Sequence, residues 1–89
     1  MKSRTTIEFL KAFARLPKQI QMQARKSYKL FKQNPQHPSL SFKKVHSTLP
    51  IYSARVSKNY RAIGQLDRDT VIWFWVASHA EYDKLLSNL

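Results

Sequence analysis

The sequence predicts an α+β fold: two N-terminal helices packed on one face of a mainly antiparallel β-sheet, followed by a short C-terminal helix. Three observations lead there. Apolar residues recur at three- and four-residue intervals up to Phe31, then at two-residue intervals from Ser39 onward, the periods of helix and of strand. Four prolines, at 17, 35, 38 and 50, stand between the periodic segments, and the chain has a single glycine, Gly64. After the last strand-like run, Ser78 to Glu81 spells S-x-x-E, the signature of a helix start.

In chain order, "TTIEFLKAFARLP" opens with Thr5 three residues before Glu8, the spacing of a capping box. Phe9, Phe13 and Leu16 follow at helical intervals until Pro17 interrupts them. Pro17 suits the first position of a second helix, where its missing N–H is an orphan in any case. That helix reads from about Pro17 to Gln33, with Ile20, Ala24, Tyr28 and Phe31 as its apolar stripe and Lys18, Arg25, Lys29 and Lys32 opposite. "NPQHP" ends it, because a residue before proline avoids the helical well. "SLSFKKVH", "IYSARVSK", "YRAIGQL" and "TVIWFWVAS" then read as strands. The last three join through turns at "SKN" and "DRD" into a meander. The final strand is apolar on both faces, as befits one with neighbours on each side. The two helices cover one face, and the other is expected to be free for function.

Eighty-nine residues correspond to one domain, residues 1–89, with a core modest enough that a partner should add stability. Sixteen Lys and Arg against five Asp and Glu leave a net charge of +11, which favours capture of RNA, DNA or an acidic protein segment over an anionic membrane. Without cysteine there is neither a disulfide framework nor thiolate chemistry. The longest apolar run, Val71 to Ala77, has seven residues, far short of a membrane span. "MKSRTTIEFLKAF" lacks the apolar core of a secretory signal, so the expected home is the reducing cytoplasm.

The candidate chemistry gathers at "WFWVASHAEYDKLL". If Ser78 caps a helix, His79 is its first residue and Tyr82 lies three further on along nearly the same face. A helix N-terminus and a basic surround both disfavour a cation, so His79 is expected to be neutral near pH 7 and able to accept a proton. Arg55, flanked by Ser53 and Ser57, points away from the apolar side of its strand, and Arg61 reaches the same face if Ala62 and Gly64 meet the helices. Guanidinium groups grip phosphate bidentately. Lys43 and Lys44, on an adjacent strand, add backbone contacts, and whichever of Trp73 and Trp75 faces the open side can stack a base, the plainer reading being that both tryptophans belong to the core. Packing of His79 and Tyr82 on the strand end is the plainer alternative. His37, His46 and His79 are scattered, with no carboxylate at ligand spacing, so no metal is expected. No Gly-rich phosphate loop, G-x-S-x-G or carboxylate pair is present, and no cofactor is expected.

"FLKAFARLP", "LFKQNPQHPSL", "ARVSKNYRA" and "WFWVASHAEYDKLL", in this order, resemble the RelE/ParE superfamily of bacterial type II toxins from about residue 4 to residue 86. "NYRA" and "SHAEYDKLL" are the most specific parts. The resemblance implies two helices over an antiparallel sheet and a cognate antitoxin that wraps the toxin. In the RelE branch it implies cleavage of mRNA in the ribosomal A site by transesterification through the 2′-OH, without a metal. It places the strand arginine at Arg61 and the histidine of the YafQ-like members at His79. Tyr82 is a looser counterpart of the C-terminal tyrosine of RelE-type members. A second basic residue expected near the end of the last strand is missing from "VASHAE". The ParE branch acts instead on DNA gyrase, and a third possibility is an inactive toxin-like binding module.

Overall fold

A computed structural model describes residues 1–89. The chain runs β1 (Lys2–Thr5), α1 (Ile7–Ala14), α2 (Lys18–Gln33), a 3-10 turn (Pro38–Leu40), β2 (Lys43–Lys44), β3 (Ile51–Ser57), β4 (Tyr60–Asp67), β5 (Thr70–Ser78) and α3 (His79–Ser87). The five strands lie in the order β1-β5-β4-β3-β2. All neighbours are antiparallel except β1 and β5, which run parallel. The expected α+β architecture and both hairpins are present.

β1 is the element that periodicity did not show. "KSRT" has no apolar alternation, and it becomes a strand only because Lys2 to Thr5 pair with Thr70 to Trp73. The pairing moves the first cap by one residue. Thr5 is spent in the strand, so Thr6 caps α1 by accepting from the Phe9 N–H at 3.1 Å. The carbonyls that α1 leaves unpaired at its end are met by Gln21, whose side-chain amide donates to Leu16 O at 3.0 Å and Ala14 O at 3.3 Å. Pro17 therefore stands at the cap of α2 rather than inside it. "SLSFKKVH" also departs from expectation. Only Lys43 and Lys44 pair with β3, while Pro38 to Leu40 coil tightly, and His37 accepts the Ser39 N–H through Nδ1 at 3.2 Å.

The sheet has two covered faces. On the α1 and α2 side, Phe31 and Leu40 pack onto Ala54, Ala62, Val71 and Trp73. Phe31 stands edge-on to Trp73 and to Phe42, with ring centroids 5.3 and 5.0 Å apart. Gly64 lies opposite Trp73, and a Cβ there would stand 2.8 Å from the indole. On the other side, α3 lays Tyr82, Leu85 and Leu86 over Ile51 and Ile63, with Val45, Phe74 and Trp75 around them. The second face is therefore not free over its whole length: α3 occupies its centre. Helices on both faces also account for the apolar character of β5.

Two bulges set which side chains share a face. In β5, Trp73 pairs with Gly64 and Trp75 with Ile63, so Phe74 is an extra residue. Unbroken alternation would put both tryptophans on one face; the bulge sends Trp73 under α2 and turns Trp75 toward α3. In β3, Val56 is extra between the pairs Arg55–Arg61 and Ser57–Tyr60, and its carbonyl accepts from the Ser27 hydroxyl of α2 at 3.3 Å.

Candidate functional site

α3 begins as the S-x-x-E spacing predicts. Ser78 Oγ accepts from the Glu81 N–H at 3.4 Å. The return half of the box differs, because the Glu81 carboxylate accepts from the Ser78 hydroxyl at 3.1 Å rather than from its backbone. The His79 N–H, an orphan in an ordinary helix start, donates to Asn59 O at 2.7 Å. This bond ties the cap to the β3–β4 turn, so the imidazole is mounted on two elements at once.

The imidazole is exposed and lies over the Tyr82 ring, with centroids 5.9 Å apart and planes 25° from parallel. Asp83, one helical turn on, places Oδ2 3.7 Å from His79 Nε2. Tyr82 lies beside the histidine, as its spacing predicts, but does not project into the open with it. Its side chain is 7% exposed and its hydroxyl donates to Ser53 Oγ, itself 2% exposed, at 3.4 Å. Tyr82 thus offers its ring to His79 while its hydroxyl points into the core.

Arg55 and Arg61 are direct cross-strand partners and share the α3 face with Ser53 and Ile63. Ala62 packs toward α2, so the strand phase assumed for Arg61 is the observed one. Arg61 Nη1 donates to Ser57 O at 3.0 Å and Tyr60 O at 3.1 Å, which anchors the guanidinium against the turn that also receives His79. Its Nη2 and Nε make no hydrogen bond within the chain and remain available. Like charges directly opposed across a ladder repel, and no carboxylate stands within ion-pair distance of either arginine; the acid–base contacts present are Lys2–Asp69 and His79–Asp83, the latter an ion pair only when the imidazole is protonated.

The two lysines part company. Lys43 pairs with Ser53 and joins the arginine face one row away, whereas Lys44 pairs with Tyr52 and belongs to the opposite face. Trp73 is sealed in the core at 2% exposure, which leaves Trp75 as the one tryptophan on this side, beside Phe74 and Tyr82. His37 and His46 are structural, each accepting backbone N–H groups through Nδ1, from Ser39 and from Thr48 and Leu49 respectively. No three His, Asp or Glu side chains converge as a metal ligand set, and no helix is long and apolar enough to cross a membrane. Asn59, Ser53 and Asp83 are additions to the predicted set. Only Asp83, at i+4 from His79, had a sequence signal.

Residues 18–84 match the family model of the ParE-like toxin domain. No curated protein matches the chain. Among solved structures, it superposes on a chain of the RelB–RelE antitoxin–toxin complex of Methanococcus jannaschii with a TM-score of 0.74 at 18% identity, over 91% of this chain and 95% of that one. YafQ of Escherichia coli gives 0.70 at 15%, covering 91% and 96%. The RelBE2 toxin–antitoxin complex of Mycobacterium tuberculosis gives 0.69 at 20%, covering 86% and 95%. At these identities the superpositions establish a shared fold, and the family match establishes descent: the chain belongs to the ParE-like toxin domain family, within the RelE/ParE superfamily of toxins.

Proposed function

We propose that this toxin is a ribosome-dependent mRNA endoribonuclease, held in check by a cognate antitoxin and acting in the cytoplasm. The observation that carries the reading is the opposed pair Arg55–Arg61, free of carboxylate partners, beside the cap that mounts His79. In the proposed step the substrate's 2′-OH attacks the adjacent phosphorus. A bond forms from O2′ to P and the P–O5′ bond breaks, giving a 2′,3′-cyclic phosphate and a 5′-OH. His79 takes the 2′-OH proton or supplies one to the leaving O5′. The free donors of Arg61 meet the charge that builds on the phosphate oxygens, while Arg55 and Lys43 hold the RNA backbone. Tyr82 orients the imidazole through its ring, since its hydroxyl is engaged inside the core. Lys44 lies on the wrong face for this strand path.

Primer extension on a defined mRNA, with and without programmed ribosomes, tests the proposal. The expected result is ribosome-dependent cuts that fall about a hundredfold to ten-thousandfold in His79→Ala, the usual cost of a lost general acid or base. Undiminished cutting by that variant sinks the assignment. A second reading, inhibition of DNA gyrase without catalysis, draws support from the match to the ParE-like model. It predicts blocked supercoiling with mRNA intact in every lane. The antitoxin is supported by solved relatives captured as antitoxin–toxin complexes. Purification from the native host should recover the toxin with an acidic or amphipathic partner.

A further inference from the structure

A cleft opens at the end of the sheet, bounded by the end of α1, the end of β5 and the first turn of α3. Its floor is Ala12, Val76 and Ala77, all buried. The half-buried rings of Trp75 and Tyr60 wall it. Two opposite charges line it, Arg15 from the end of α1 and Glu81 from the first turn of α3, yet they do not form an ion pair. The Arg15 guanidinium already lies over the Trp75 ring, its carbon 6.0 Å from the ring centre. The Glu81 side chain meets only the Ser78 hydroxyl, through Oε1. A cation and a carboxylate facing the same aromatic-walled cleft, unpaired, leave room for a planar polar group between them.

We infer that this cleft is a subsite for one nucleobase, guanine, of the RNA strand whose phosphate lies against Arg61 and His79; the inference rests on the nuclease reading for the path of that strand. Stacking recognises the ring: the Arg15 side chain, which rests over Trp75, lifts to admit a base onto the indole and then covers it. The edge is read by Glu81, which as a carboxylate only accepts hydrogen bonds. Guanine presents two adjacent donors on its Watson–Crick edge, N1–H and the 2-amino group, and a carboxylate takes both in parallel. Adenine and cytosine set an acceptor nitrogen beside their single amino group, and uracil flanks its N3–H with two carbonyls, so each brings a lone pair against the carboxylate. Each carboxylate oxygen has two acceptor positions, so the bond from Ser78 does not exclude the base. Glu81 and His79 are two residues apart on one turn, about 200° around the helix axis. The base side and the phosphate side therefore flank the same cap, and the strand crosses it within a nucleotide or two.

The test uses the whole chain and 2′-O-methyl pentanucleotides UUGUU, UUAUU, UUCUU and UUUUU, which lack the hydroxyl needed for their own cleavage. Binding is followed by tryptophan fluorescence, with buried Trp73 as a steady background, and in parallel by anisotropy of end-labelled oligonucleotides. UUGUU is expected to quench the signal and to bind about 5- to 150-fold more tightly than the others, the span of one good bidentate base contact. Glu81→Gln keeps an acceptor for the cap and should shrink the preference to about twofold or less. Trp75→Phe should abolish the quench. Equal affinity for all four oligonucleotides, or a guanine preference that survives Glu81→Gln, overturns the inference. The nuclease reading fails separately: guanine preference without ribosome-dependent cutting keeps the cleft and removes the reaction, and cutting without base preference does the reverse.

Discussion

Gly64→Ala should destabilise this protein by an amount that its surroundings set. A Cβ at this position would stand 2.8 Å from Trp73 Cε3, 2.8 Å from Val71 Cγ1 and 3.2 Å from Ile72 O. None of the three can yield cheaply. Trp73 and Val71 are 2% and 0% exposed, and the carbonyl belongs to a strand hydrogen-bonded to β4 and flanked by β1. Overpacking a filled core by one methyl costs about 1–3 kcal/mol. Two contacts at 2.8 Å put the cost in the upper half of that range, and alanine returns about 0.4–1 kcal/mol by restricting the unfolded chain, which leaves a net loss of about 1–2 kcal/mol. For a chain of this size that corresponds to a fall in Tm of roughly 5–15 °C. Thermal unfolding of the whole chain by circular dichroism reads it directly. A double-mutant cycle with Val71→Ala should show about 1 kcal/mol of coupling, because the smaller partner gives the new methyl somewhere to go. A Gly64→Ala melting point within about 1 °C of the parent, or a cycle with no coupling, would refute the packing argument.

Other outcomes follow from the site. Tyr82→Phe should cost about 1 kcal/mol, because the Ser53 hydroxyl stays buried without its 3.4 Å partner, while RNA cleavage stays within a few-fold of the parent. A loss as large as that of His79→Ala would instead give the hydroxyl a part in proton transfer. Arg55→Gln should raise stability by about 0.2–1 kcal/mol at low salt by ending its opposition to Arg61, with the gain fading at high salt and RNA affinity falling; a loss of stability would show that some group already balances the pair. Ser78→Ala removes the α3 cap and should lower stability by about 0.5–2 kcal/mol in denaturant titration. Affinity for a single-stranded RNA spanning Arg55, Arg61 and Lys43 should fall with log salt at a slope of about −2, and each charge removed should flatten it.

The composition and period of the chain determined much of this protein on their own. The stripe Ile20, Ala24, Tyr28 and Phe31 faces the core as its spacing requires, the two hairpin turns fall where the polar breaks are, and Ser78 starts α3. These features rest on contacts within a few residues, so short windows of sequence carry them. The tertiary structure decided the rest. β1 is a strand because β5 offers it an edge, and that same pairing shifts the first cap from Thr5 to Thr6. The fate of the two tryptophans hung on one bulged residue, Phe74, which no alternation count reveals. Helical spacing set Tyr82 beside His79, where its ring lies; that its hydroxyl went inward was decided by α3 lying down on Ile51 and Ile63. The two-residue period of a strand already put Lys43 and Lys44 on opposite faces, but only the pairing of Lys43 with Ser53 decided which of them joined the arginines. Period says which residues share a face; only pairing between distant segments, with its bulges, says what that face meets.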